Sequence, residues 1–223
     1  MMKKDKEKPF FDPKNGQLGY TYMNWGPFVL HTTMPDYITR KLKIEGKKAK
    51  QNYNASLAGH LNNQYLYPLE VQKWFYKEIG PVIRGYREGH CKFHDIVQHN
   101  IDFKADDLWV NFMEAGDFNP VHTHSADYSF VYFIDVPKAL EKEQKKFEGT
   151  SAPPGALMFE YTQQAKPRWA TTGSVVIPKA GHFYMFPALL QHWVCPFKSK
   201  VQRISVSGNI RIMNKDKLPR DYF

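Results

Sequence analysis

From Ile101 onward the chain is a series of short apolar runs cut by Gly, Pro, Asn and Asp, and this punctuation constrains the fold more than any other feature. Runs of this kind, rich in Val, Ile, Phe, Tyr and Trp and bounded by turn formers, are β-strands, and several in series make a sandwich or barrel. Strands are expected over 108–113, 128–136 (ended by Pro137), 156–161, 173–178, 183–187, 192–195 and 201–213. A solvated insertion of lysines and glutamates occupies 138–148, ahead of Pro153, Pro154 and Gly155.

The first hundred residues read differently. Residues 1–24 lack periodicity and form a surface arm, and 28–30 suggests an edge strand. A helix is expected over 35–50 with Tyr37, Ile38, Leu42 and Ile44 on one face. After an irregular stretch at 52–61, a second helix is expected over 68–86, striped by Leu69, Trp74, Ile79, Val82 and Ile83 and broken or kinked at Pro81. The expected class is therefore mainly β with flanking helices, a barrel-like core carrying helices outside it. A single domain spans 1–223: arm and supporting helices over 1–100, core over 101–213, tail over 214–223.

Composition narrows the setting. With 223 residues, 42% apolar and 15% aromatic, the chain buries a sizeable core and is neither disordered nor low-complexity. Two cysteines, Cys91 and Cys195, are too few for a disulfide scaffold and fit a reducing compartment. No signal-peptide core follows the N-terminal lysines and no run approaches the roughly 20 apolar residues of a membrane span, so a cytoplasmic protein is expected, in a host cytoplasm if phage-encoded. The net charge of +9 suits an anionic partner, but Lys41, Lys43, Lys47, Lys48, Lys50 and those of 138–146 form no single stripe. A nucleic-acid partner stays open and is disfavoured against other readings.

Chemistry concentrates in three segments. His122 and His124 are one residue apart, which on a strand turns both imidazoles to one face. His192 follows the turn 187–191 on a strand expected to lie alongside, so three imidazoles converge on a candidate metal site whose metal the spacing does not name. In 201–212, Ile204, Val206, Ile210 and Ile212 alternate with Arg203, Ser205, Ser207 and Asn209. In an ordinary sheet the polar face would be solvated, and Arg203 a surface arginine. In a barrel sheathed by helices it lines a cavity, where Arg203 becomes a fork for a carboxylate.

The segments Phe118-Asn119-Pro120-Val121-His122-Thr123-His124, Phe186-Pro187-Ala188-Leu189-Leu190-Gln191-His192 and Arg203-Ile204-Ser205 resemble the Fe(II)/2-oxoglutarate-dependent oxygenases. The likeness is nearest to oxygenases common in bacteria and their phages, and more distant to prolyl hydroxylases, and it covers roughly 108–213. It implies a double-stranded β-helix (jelly-roll, cupin-like) core, with Fe(II), 2-oxoglutarate and O2 as cofactor and cosubstrates. It also implies His122 and His192 as iron ligands, Arg203 with Ser205 on the far carboxylate of 2-oxoglutarate, and Tyr132 on the same group. Where most of the superfamily has His-x-Asp or His-x-Glu, this chain has His124. Either three histidines form the triad or Asp127 supplies the carboxylate; alignment favours His124 and charge balance favours Asp127.

The expected reaction is hydroxylation of a C–H bond in a protein side chain or small molecule, with succinate and CO2 as co-products. Trp109, Asn111 and Trp193 are candidates for the substrate pocket, and the arm and the 138–150 insertion are candidates to cover its mouth. Two other readings stay open: a three-histidine cupin-type dioxygenase working without 2-oxoglutarate, and a cupin-like module whose histidines hold a structural metal.

Overall fold

The computed structural model describes residues 26–161 and 173–214, and the backbone of 11–12 and 17–18. Among the described residues, strands β1 (Phe11–Asp12) and β2 (Gln17–Leu18) pair with each other in a sheet of their own. There follow β3 (Leu30–Thr33), α1 (Asp36–Lys48), β4 (Gln51–Asn52), a 3-10 turn (Asn54–Ser56), β5 (Asn63–Leu66), α2 (Leu69–Glu78) and α3 (Gly80–His94). The second half comprises β6 (Phe103–Met113), β7 (Asn119–His122), β8 (Tyr128–Asp135), α4 (Lys138–Lys145), β9 (Leu157–Glu160), β10 (Gly173–Val176), β11 (His182–Pro187), β12 (Gln191–Val194) and β13 (Arg203–Ile212).

From β6 the chain passes back and forth between two antiparallel sheets. The larger has the order β3-β11-β8-β13-β6-β5-β4, the smaller β10-β9-β12-β7. This is a double-stranded β-helix, with β13 at the centre of the large sheet between β8 and β6. The edge strand expected near residue 28 is β3, paired to β11 at one margin of that sheet.

Two apolar clusters explain why the sheets face as they do. Ile38 and Leu42 of α1, Val71 and Phe75 of α2, and Ile83 and Tyr86 of α3 cover the outer face of the large sheet, meeting Val110, Phe130, Tyr132, Phe183 and Val206. A second cluster lies between the sheets, with Met113, Phe133, Leu157, Phe159, Phe186 and Val194. The helices desolvate the Ile204, Val206 and Ile210 face of β13, so its polar face is left to line the interior, as expected from the alternation.

Helix faces depart from the expected stripes in detail. Tyr37 (50%) and Ile44 (54%) are exposed; α1 buries Ile38, Leu42 and Gly46 instead. Glycine is required at 46 because a Cβ there would lie 2.8 Å from the Tyr67 hydroxyl, which donates to Leu42 O. The expected second helix is two helices sharing Ile79 as cap, with Pro81 in the first turn of α3, where a missing N–H costs nothing. Leu69 is 62% exposed, and the buried stripe is Val71, Phe75, Ile79, Ile83 and Tyr86.

Candidate active site

β7 and β12 are adjacent and antiparallel, with His122 directly opposite His192. Each of these histidines is anchored alike. Nδ1 of His122 meets the Pro120 carbonyl at 2.7 Å, and Nδ1 of His192 meets the Leu190 carbonyl at 2.8 Å. A carbonyl oxygen only accepts, so both Nδ1 atoms carry the proton and both Nε2 atoms present a bare lone pair, the tautomer a metal needs. His124 lies just beyond β7, its backbone N–H bonded to Ala188 O, with its Nε2 3.2 Å from Nε2 of His192. One ligand atom from each of the three lies within 4.8 Å of the others, a set that could hold a metal ion.

Burial keeps these imidazoles neutral. It pushes His192 down to about 3 and His124 to about 4, the neighbouring His122 adding to both effects, and it lowers His122 as well. No proton need be displaced from any of them for a cation to bind at pH 7.

The same cavity, of about 220 Å3, is lined from the large sheet by Arg203, Ser205 and Ser207 of β13 and Trp109 and Asn111 of β6. Arg203 is 2% exposed, and burial lowers its guanidinium to about 10. Its Nη1 donates to Gly155 O at 2.8 Å, its face lies 5.5 Å from the Phe133 ring centre, and Nε has no partner. No carboxylate among the described residues pairs with it. A buried cation without a counter-ion among the described residues, lining a cavity with three neutral imidazoles, fits a chelating dianion such as 2-oxoglutarate bound beside a divalent metal.

Other residues singled out in the sequence fall elsewhere. Tyr132 points from β8 to the helix side, where its hydroxyl hydrogen-bonds Thr39 of α1; it does not line the cavity. On β8 it is Val131 and Phe133 of the alternate parity that face inward. Asp127 lines a different cavity and accepts the Ile212 backbone N–H at 2.8 Å. Trp193 lies between the inward-facing His192 and Val194, so its side chain leaves the opposite face of the small sheet.

Trp109 and Asn111 do line the cavity. The Trp109 ring centre is 6.1 Å from that of His124. Asn111 takes a hydrogen bond from Gln64 Nε2 at 2.7 Å and gives one to Ser207 Oγ at 3.3 Å. Gln64 and the wall formed by Ser56, Leu57, Ala58 and Gly59 were not anticipated. Period-2 burial of β5 and the pairing of Gln64 opposite Asn111 would be needed to find Gln64, and a four-residue strand carries too little pattern for that.

Residues 107–209 match the family described as "Putative 2OG-Fe(II) oxygenase". No curated protein matches by sequence. The fold is similar to a Pseudomonas putida prolyl-4-hydroxylase (14% identity, 83% of this chain and 93% of that one, TM-score 0.51). It is also similar to a Trichoplax adhaerens prolyl hydroxylase in complex with a hypoxia inducible factor peptide fragment (9%, 86% and 84%, 0.52). HygX from Streptomyces hygroscopicus, with nickel, 2-oxoglutarate and hygromycin B bound, is a third (9%, 84% and 83%, 0.52). The fold is the double-stranded β-helix of these oxygenases. Over its core, residues 107–209, the chain is similar to the Fe(II)/2-oxoglutarate-dependent oxygenases, whose cofactor and cosubstrate are Fe(II) and 2-oxoglutarate.

Proposed function

We propose that the protein hydroxylates a C–H bond of a protein side chain or small molecule, with His122, His124 and His192 holding Fe(II) and Arg203 with Ser205 holding the far carboxylate of 2-oxoglutarate. The bound metal and cosubstrate supply the oxidation: substrate, 2-oxoglutarate and O2 become hydroxylated substrate, succinate and CO2. The carrying observation is the shared cavity, with three clustered imidazoles at one end and, at the other, a buried guanidinium that pairs with no carboxylate among the described residues.

The protein's own part is positional. Carbonyls of Pro120 and Leu190 hold two imidazoles in the ligating tautomer. Arg203 neutralises and orients a carboxylate, and Phe133, Leu157, Phe186 and Val194 keep the chamber apolar and exclude water. A cavity of about 220 Å3 is below the roughly 300–1,000 Å3 that encloses a drug-sized ligand. Beside a five-carbon acid it admits a protruding group, which favours a substrate that inserts one side chain while its bulk stays outside.

A donor set of three imidazoles also favours a three-histidine dioxygenase that dispenses with 2-oxoglutarate. One experiment separates the readings: succinate measured from Fe(II) protein under air with 2-oxoglutarate, alongside the Arg203→Met variant. Succinate from the parent and a KM for 2-oxoglutarate raised at least about 10-fold in the variant are expected. An unchanged KM, or no succinate together with oxidation of a thiol or diketone, would overturn the proposal.

A further inference from the structure

We infer that Gly155 and the helix α4 behind it are the positioning device of the carboxylate clamp, setting the direction in which Arg203 presents its fork. The inference rests on the reading of Arg203 as the residue that binds 2-oxoglutarate.

Arg203 enters the cavity from β13 with a single hydrogen bond among the described residues, from Nη1 to the carbonyl of Gly155. A guanidinium is planar, so fixing one arm against an immobile acceptor, with Phe133 beside it, fixes where its remaining N–H groups point. The acceptor is immobile because of its turn. Ala156 N–H donates to Pro153 O, closing Pro153-Pro154-Gly155-Ala156, and Gly155 has φ +69° at its third position, where that turn type demands a left-handed residue. Gly155 N–H is itself bonded to Pro196 O.

The turn is pinned from outside by α4, the lysine- and glutamate-rich insertion. Gln144 Nε2 donates to Pro154 O at 2.9 Å. Glu143, one residue before, accepts the backbone N–H groups of Lys198 and Ser199 at 2.9 and 2.8 Å and the Ser199 hydroxyl at 2.5 Å. Leu140, fully buried, packs against the Gly155 position: a Cβ added there would meet its methyl carbons at 3.3 and 3.4 Å and Phe197 at 3.5 Å. The insertion, which by sequence was a candidate cover for the barrel mouth, is thus a buttress: its contacts run to the turn that carries the Arg203 acceptor and to the chain leading into β13.

A device that aims the fork matters only for ligands with a distal carboxylate, and that chemistry supplies the test. Protein loaded with Ni(II) in place of Fe(II) is titrated calorimetrically with 2-oxoglutarate and with 2-oxopentanoate, which keeps the 2-oxo acid end and replaces the far carboxylate by a methyl group. Gly155→Ala should weaken 2-oxoglutarate about 10-fold and 2-oxopentanoate less than about 2-fold. Gln144→Leu, remote from the cavity, should move the same ratio about 3-fold. Gly181→Ala, at another positive φ (+85°) with nothing within 4 Å of its Cβ, controls for loss of stability and should leave the ratio unchanged. Equal weakening of both acids, or an unaltered ratio in a folded Gly155→Ala protein, overturns the inference. If Gly155→Ala does not fold, an unaltered ratio in Gln144→Leu overturns it. Arg203→Met distinguishes the two levels: if that variant also leaves the ratio unchanged, the reading of Arg203 fails, and if it alone abolishes the preference for 2-oxoglutarate, only the role of Gly155 fails.

Discussion

Nε2 of His124 stands 3.2 Å from Nε2 of His192. Two imidazoles bonded at right angles to one ion by bonds of about 2.1 Å place their nitrogens about 3.0 Å apart, so this separation is compatible with two ligands of one metal as well as with the direct hydrogen bond between the rings. Asp127, the carboxylate considered for the same position, instead holds the Ile212 N–H near the end of β13. Replacing His124 by Ala should weaken Ni(II) binding at least about 100-fold, whereas Asp127→Asn should leave it within about 3-fold. Calorimetric titration with Ni(II) reads both, and a loss of metal in Asp127→Asn with retention in His124→Ala would assign the ligand the other way.

Tyr132 is fully buried on the helix side of β8 and bonded to Thr39. Tyr132→Phe should therefore cost about 1 kcal/mol of stability, the worth of one buried hydrogen bond, and change the affinity for 2-oxoglutarate less than about 2-fold. Urea unfolding and calorimetry measure the two effects separately. A large fall in affinity would return this tyrosine to the cosubstrate.

The metal-free protein should be acid-sensitive in a defined window. His124 and His192 are pushed by burial to about 4 and about 3, against 6.5 for a solvated imidazole. The folded state then binds fewer protons than the unfolded one, so the contribution to stability is complete above pH 6.5 and is lost as pH falls toward 4. Urea midpoints measured from pH 7.5 to 4.5 should decline in the parent. In the double variant His124→Gln, His192→Gln the decline should be visibly shallower.

Asn111 couples Gln64 of β5 to Ser207 of β13 inside the cavity. Asn111→Ala leaves the buried Gln64 amide without its partner and should destabilise by about 1–3 kcal/mol. Asn111→Ala combined with Gln64→Leu should recover part of that loss, because the stranded polar group is gone. A double variant less stable than the sum of the single effects would mean that Gln64 has another partner.

The outer core makes the largest stability prediction. Phe75 of α2 is fully buried against Phe130 and Tyr132, with ring centres 5.8 and 6.5 Å away. Phe75→Ala should cost about 3–5 kcal/mol, read as a lowered urea midpoint with an unchanged slope.

Local pattern determined a good deal here. Strand alternation has period 2 and needs no neighbours to be seen, so the β-rich second half, the paired His122 and His124 and the polar face of β13 were legible in the sequence. The tertiary structure decided what alternation leaves undetermined. On β8 both faces are apolar, because helices cover one and the cavity the other, so parity alone could not tell Tyr132 from Phe133. Whether His124 or Asp127 joins the site depended on hydrogen bonds made to Ala188 and to Ile212, both far along the chain. Gln64 and Gly155 lie 47 and 48 residues from the side chains they bond, Asn111 and Arg203. Such partnerships exist only once the sheets are closed, since it is closure that removes water and leaves each buried donor or acceptor to find a protein partner.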